Sequence, residues 1–322
     1  MDRTHWKQAF TPEEIRDLRK VSDLAGVRMI ATDWGLILLS LAVVAAWPNP
    51  LTVAGAVVVI GVRQLGLAVL MHEASHRTLF RSRWLNDAAG NWLAAYWVFL
   101  SVELYRPYHL QHHVHTGTDK DPDLHLRTGY PTTTASMTRK VLRDLLGVVG
   151  VKRLVGTARF LLTAARGTGE ASADHVEFLG GANDPQAARR ALRGFAVTQL
   201  AFLGALWAVG QPWLYGVWAL AWLTTQNLVT RLRSIAEHAM TDLGEDPFRN
   251  TRTVRTRGWE RLFIAPHDVA FHLEHHLLMT VPASNLERFH AMLKARGLLE
   301  AAQVEDGYPA LLRRAGRAEA TS

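Results

Sequence analysis

Residues 51–71, LTVAGAVVVIGVRQLGLAVLM, run directly into HEASH at 72–76. The first segment has about the roughly 20 residues that carry a helix across a bilayer. The second closes it with His72 and His76 at i and i+4, one helical turn apart and on one face. Three more apolar stretches occur, at 33–47, 195–209 and 213–229. Pro48-Asn49-Pro50 joins the first pair and Gly210-Gln211-Pro212 the second, so the pattern predicts two hairpins and four transmembrane helices.

Charge orients this scaffold. Of 36 Lys and Arg, 6 precede residue 33, 16 lie in 72–194 and 13 follow residue 230. The one remaining, Arg63, is inside a span, and neither turn carries any. Excess Lys and Arg stay on the cytoplasmic side, which predicts cytoplasmic termini, a cytoplasmic segment 72–194 and outward-facing turns. The net charge of +7 then follows from topology and contact with membrane lipids, and no nucleic-acid partner is needed. Thirty Arg against six Lys, with abundant Ala and Gly, fits a GC-rich bacterial gene and hence the bacterial inner membrane.

Residues 1–28 show no signal-peptide pattern, so the first span is expected to act as an uncleaved anchor. Thr11-Pro12-Glu13-Glu14 predicts a capping box opening a helix that leads into that span. A fifth apolar stretch, 88–104, contains Asn91 and Glu103 and has cytoplasmic charge on both sides, so it reads as re-entrant or interfacial. Residues 137–166 mix Val, Leu and Phe with Lys and Arg at helical spacing. This suits a helix on the anionic inner leaflet and equally a solvated amphipathic helix. Residues 167–185 read as a loop and 315–322 as a tail.

The expected fold is an all-α membrane protein, one domain over 1–322. It comprises a cytosolic N-terminal helix (1–32), a transmembrane hairpin (33–71), a cytosolic and interfacial segment (72–194), a second hairpin (195–229) and a cytosolic segment with tail (230–322). A cytosolic helical domain carrying the His motifs caps the spans.

There is no Cys, which excludes disulfides, thiolate zinc sites, cysteine nucleophiles and cysteine-held iron–sulfur clusters. Any transition metal falls to His and carboxylates. All but two of the 15 His, His5 and His175, lie in 72–125 or 238–290. His109/His112/His113 and His272/His275/His276 each give i, i+3 and i+4 on one helix face. His238 joins them if the last span continues as a helix beyond Val229. All four groups fall on the predicted cytoplasmic side.

Nine imidazoles exceed what one ion uses, since zinc takes four ligands and a six-coordinate ion six, so two metals are expected. Imidazole suits iron, zinc, copper and nickel alike. Glu73, Glu237, Glu274 and Asp268 are candidates for orienting the rings, with solvated surface positions as the alternative. His115, His125 and His267 lie near the motifs but break their spacing, and His5, His175 and His290 read as ordinary residues.

Other classes use part of the pattern. HEASH also fits HExxH, the zinc metallopeptidase motif, but that leaves seven clustered His unexplained, and no Asp-Gly ligand motif lies on a span. Glu73 to His76 forms one ExxH of the soluble di-iron bundles, which need a second ExxH and two further Glu. A metal transporter would place His within the spans, and these contain none.

The three motifs HxxxH, HxxHH and HxxHH, with a separate His before the last, resemble the membrane fatty acid desaturase superfamily. The similarity spans about 66–290, including the runs Asn250-Thr251-Arg252-Thr253 and Asp119-Lys120-Asp121-Pro122-Asp123. The resemblance implies four transmembrane helices under a cytosolic cap, and two irons held by His72, His76, His109, His112, His113, His238, His272, His275 and His276. It also implies a lipid or acyl-chain substrate entering beneath the metals, with dioxygen as co-substrate. Acyl-CoA members have Asn four residues before the separate His, where this chain has Ser234. No haem-binding cytochrome module is read in the chain, so the expected electron donor is a separate ferredoxin-type protein docking on the basic cytosolic face. Removing hydrogen from an unactivated methylene needs an oxidant that no side chain supplies, which a metal cofactor provides. The same ligands serve desaturation and hydroxylation, and desaturation of a long acyl chain is the preferred outcome.

Overall fold

The computed structural model describes residues 5–167 and 184–318. Thus His175, and nearly all of the loop expected at 167–185, lie outside the described residues, as do 319–322 of the expected tail. The helices are α1 (Pro12–Leu18), α2 (Asp23–Ala46), α3 (Pro50–His76), α4 (Arg83–Trp92), α5 (Val102–His115), α6 (Thr134–Leu145) and α7 (Val148–Arg166). They continue with α8 (Pro185–Ala208), α9 (Leu214–Leu223), α10 (Thr225–His238), α11 (Gly258–Phe263), α12 (His272–Leu277), α13 (Ala283–Ala295) and α14 (Tyr308–Ala315). Two short strands, β1 (Thr253–Arg255) and β2 (Val304–Asp306), pair in parallel with Thr253 opposite Val304, an element the helical reading did not include. The chain forms two compact units, an apolar one of Asp23–Tyr108 and Val141–Thr230 and a polar one of Met1–Ser22, His109–Lys140 and Arg231–Ser322.

In the apolar unit, α2 and α3 form the first predicted hairpin. Asn49 caps α3, accepting from the Leu51 and Thr52 amides at 3.0 and 3.1 Å, and Pro50 occupies the first helical position. From Ile60 to Ser75 nearly every α3 residue is buried, so this helix is the unit's centre. Leu38, Leu39, Leu51 and Leu200 are more than half exposed, a surface suited to lipid. Trp47, Trp207 and Trp213 are exposed beside the two turns, where amphipathic rings favour the bilayer interface.

The first span differs from its predicted start. Its helix begins at Asp23, after a break between α1 and α2, and Asp33 is fully buried within it. Asp33 accepts from Arg63 of α3 at 3.3 Å, so the one cation inside a span has a carboxylate partner. Gly66 makes room for this pair, since a Cβ there would lie 2.5 Å from both Asp33 oxygens.

Three helical stretches, Pro12–Ala46 (α1 and α2 taken together), Pro50–His76 and Pro185–Ala208, are long and apolar enough to cross a membrane among the described residues. The stretch predicted as a single fourth helix, 213–229, is broken at Thr224, with φ −116° and ψ −84°. The Thr224 hydroxyl bonds the Leu220 carbonyl at 2.6 Å and the Asn227 amide bonds the Trp222 carbonyl at 2.7 Å, so side chains take over the local backbone partners. Gly150 lets α7 approach this break, because a Cβ there would lie 2.4 Å from the Leu223 carbonyl oxygen.

The expected interfacial stretch 88–104 consists of short pieces: the end of α4, a 3-10 turn at Ala95–Val98 and the start of α5. The single helix expected over 137–166 is likewise two, α6 and α7, separated at Gly147 with φ +74°. Leu142, Leu145, Leu146, Val151 and Val155 are exposed along them.

The polar unit is built from short helices pinned by side chains reaching backbone groups far along the chain. Thr11 and Glu14 form the predicted capping box of α1. Asn285 donates to the Leu18 and Lys20 carbonyls at 2.9 and 3.1 Å, and Trp6 and Phe10 pack on Phe289 of α13.

Candidate metal centre

Each His motif sits where a helix ends or starts, and separate devices fix each terminus. In the apolar unit, His72 and His76 stand on the last turn of α3, with rings 4.8 Å apart. Arg77 ends the helix in the left-handed region. Arg106 holds that end by donating to the Ser75 and Ala74 carbonyls at 2.8 and 3.0 Å, and it also pairs with Asp87. Glu73 reaches within 3.5 Å of His72 Nδ1 and accepts from the Thr78 hydroxyl at 2.9 Å.

In the polar unit, His112, His238, His272 and His276 each offer a ring nitrogen within 4.8 Å of the others. His238 ends α10, whose last carbonyls are capped by a buried guanidinium: Arg252 donates to Ala236 and Ala239 at 2.9 Å and to Met240 at 3.1 Å. Burial lowers the Arg252 pKa to about 10. The next turn, α12, carries the last motif. Glu274 anchors it by accepting from the Thr253 hydroxyl of β1 and bonding His290 Nδ1 at 2.6 Å. Asn250 donates to the Thr116 carbonyl at 3.0 Å, which fixes the segment following the middle motif.

Hydrogen bonds select the ring tautomers. His112 Nδ1 is 2.7 Å from Asp121 Oδ1, and Asp121 also accepts from the Gly117 and Asp123 amides at 3.1 and 2.9 Å. The Thr116 hydroxyl donates to the His112 carbonyl, so its oxygen accepts from His276 Nδ1–H at 3.2 Å. Both arrangements leave Nε2 with its lone pair, and His276 Nε2 is buried without a hydrogen-bond partner.

A second set, His109, His113 and His275, also brings ring nitrogens within 4.8 Å of one another. His113 Nε2 is 3.0 Å from both His109 Nε2 and His275 Nε2, and His238 and His272 approach at 2.9 Å through the same atoms. Nitrogens at right angles around one ion, each about 2.1 Å from it, are about 3.0 Å apart. The donor sets therefore fit transition-metal ions: all imidazole, with nitrogens converging at ligand spacing.

Electrostatics agree. Burial, then neighbouring His and Arg, hold His238, His272 and His276 well below the ordinary histidine pKa, so they are neutral, as ligands must be. His112 is the exception. Burial alone would depress it, but Asp121, Asp123 and Glu237 together raise it. Glu237 is itself pushed up to about 7 by burial, against the opposing pull of Arg233 at 2.6 Å, and lies 3.7 Å from His272 Nδ1.

The fatty acid desaturase profile matches residues 48–305, a stretch that includes all nine imidazoles. The chain belongs to this family. Dihydrorhizobitoxine desaturase of Bradyrhizobium elkanii is 25% identical over 286 residues, covering 84% of this chain and 75% of that protein. Family membership and this relative support a desaturase-type oxidoreductase, and the family implies membrane helices and a lipid or acyl substrate class.

Other predicted residues of this desaturase family member fall elsewhere. Asp268 is 3.6 Å from Arg261, and burial raises its pKa. His267 lies in a short turn with φ +56°, and α12 starts only at His272. His115, His125 and His290 belong to neither donor set. Sequence reading did not assign Asp121, Thr116 or Arg252 a role, although Asp121 and Arg252 lie in the two runs quoted for the resemblance.

Proposed function

We propose that this chain is a membrane di-iron oxidoreductase that uses dioxygen to introduce a double bond into a long acyl or lipid chain. The carrying observation is the polar-unit set His112, His238, His272 and His276, with His109, His113 and His275 as a second converging set. The first four would hold one iron. Membership of the family supports His72 and His76, with His109, His113 and His275, as the proposed ligands of the other. Two irons held there would supply the oxidising power that removing methylene hydrogens with dioxygen requires, with the donor as the source of electrons.

The chain's own residues set the conditions for that chemistry. Asp121 keeps the His112 proton on Nδ1 and Thr116 keeps the His276 proton on Nδ1, which aims each Nε2 lone pair at the ligand position. Arg252 and Glu274 fix the two backbone ends that carry His238 and the last motif. Glu73 and Glu237 stand within 4 Å of the Nδ1 atoms of His72 and His272, as carboxylates that orient them. All-imidazole ligation also presents no thiolate for an oxidant to attack.

Four membrane crossings, with α9 and the start of α10 over 213–229 as the fourth, both termini and the centre on the cytoplasmic side, and a bacterial inner-membrane location complete this reading. Its support is the Lys and Arg distribution. A separate ferredoxin-type protein supplies electrons. A second reading concerns the substrate: the relative's name states that it acts on dihydrorhizobitoxine, which favours testing substrates other than acyl lipids.

The test is mass spectrometry of extracts from a bacterial host expressing the chain, or His276→Ala, with a ferredoxin system. Wild-type-specific species lacking two hydrogens are expected. Species gaining one oxygen would make it a hydroxylase and overturn the proposed reaction.

A further inference from the structure

We infer that the polar unit itself docks on anionic lipid through α11, with Trp259, Leu262 and Phe263 entering the boundary between headgroups and acyl chains. Residues 255–263 read RTRGWERLF, three Arg and one carboxylate among apolar side chains. The carboxylate faces inward. Glu260 is fully buried and accepts from the Arg257 and Tyr308 amides at 2.7 and 2.9 Å. Gly307, at φ +79°, lets it in, because a Cβ there would meet Glu260 Oε1 at 2.9 Å.

This inward anchor leaves the opposite side of α11 to solvent. Trp259 is 47% exposed, Leu262 48% and Phe263 38%. At i, i+3 and i+4 they occupy about 100° of arc, one apolar stripe. Burying the exposed part of these three large side chains would be favourable, since apolar surface would leave water.

The flanking charge chooses the occupant. Asp306 pairs with Arg255, and Glu287 and Asp268 pair with Arg261 at 3.0 and 3.6 Å, which neutralises those two guanidiniums. Arg257, at the N-cap, is exposed and has no carboxylate partner among the described residues. A Trp, Leu and Phe stripe on a segment whose own carboxylate, Glu260, is turned inward, with the Arg257 guanidinium as its unneutralised cation, matches an anionic lipid surface. The inference goes beyond the proposed reaction and rests only on the membrane reading, so it stands or falls independently of the metal.

Because the chain has no Cys, Leu262→Cys provides a unique thiol for a nitroxide label. The labelled full-length chain is placed in nanodiscs of phosphatidylglycerol and phosphatidylcholine. Relaxation of the label is compared between dioxygen, which concentrates among acyl chains, and a water-soluble nickel chelate. Dioxygen is expected to relax the label several-fold more than the chelate, and Arg257→Glu should shift the ratio toward water. Phe263→Cys repeats the measurement should Leu262→Cys fail to fold. Stronger relaxation by the chelate would overturn the inference, as would shielding from both reagents, which marks a protein contact.

Discussion

The apolar and polar units solve stability in opposite ways. The apolar unit relies on long helices and close backbone approach: Gly66 admits Asp33, Gly150 admits the break at Thr224, and a Cβ at Gly194 would lie 2.3 Å from the Tyr96 ring. Its buried Asp33–Arg63 pair satisfies charge within the unit. The polar unit has short helices whose ends are tied by distant side chains, Arg252 to α10, Glu274 to β1 and Asn285 to α1. Lipid supplies no competing hydrogen bonds, so a membrane helix must close its own backbone partners. A short helix must instead find partners for eight terminal groups. His238 and the last motif, His272, His275 and His276, are thus carried on short segments tied by side chains distant in sequence.

The largest break in this contrast should come from Arg63→Ala. Removing Arg63 takes the cation from buried Asp33, an expected loss of about 3–5 kcal/mol. Thermal unfolding in detergent should show it, and Arg63→Ala with Asp33→Asn should recover most of the loss. Arg252→Ala tests the polar unit. Losing a buried guanidinium that caps three carbonyls should cost about 3 kcal/mol and reduce metal content along with unfolding temperature.

A smaller effect sharpens the account of the metal centre. Asp121→Asn should weaken metal binding about 10–100-fold at neutral pH while the fold persists. The sign with pH is also defined. Asp121 helps hold His112 above its ordinary pKa, so in the wild type a proton competes with metal at higher pH than burial alone would allow. The variant's loading curve should therefore begin to fall at lower pH, as read by titrating the metal-free protein. The smallest effect is expected for His290→Ala, which loses a bond to Glu274 but no candidate ligand. Its metal content should match the wild type.

Legibility in the sequence follows the same division. Hairpin turns at Pro48-Asn49-Pro50 and Gly210-Gln211-Pro212, the capping box at Thr11, and the His motifs are local patterns, and hydropathy or spacing reveals them. Thr224 carried no such mark: Thr-Thr within an apolar run reads as helix, and only the bonds of Thr224 and Asn227 to earlier carbonyls show the break. The Asp33–Arg63 pair spans 30 positions, beyond any helical period. Asp121 follows His112 by nine residues, and only the turn that bonds its carboxylate to the Gly117 amide brings it back to the ring.

The central claim is that nine imidazoles hold two irons, and iron stoichiometry tests it most directly. Chain purified from iron-supplemented cells should contain two irons per chain by elemental analysis, and His276→Ala at most one with the fold retained. One zinc per chain, unchanged in His276→Ala, would contradict it.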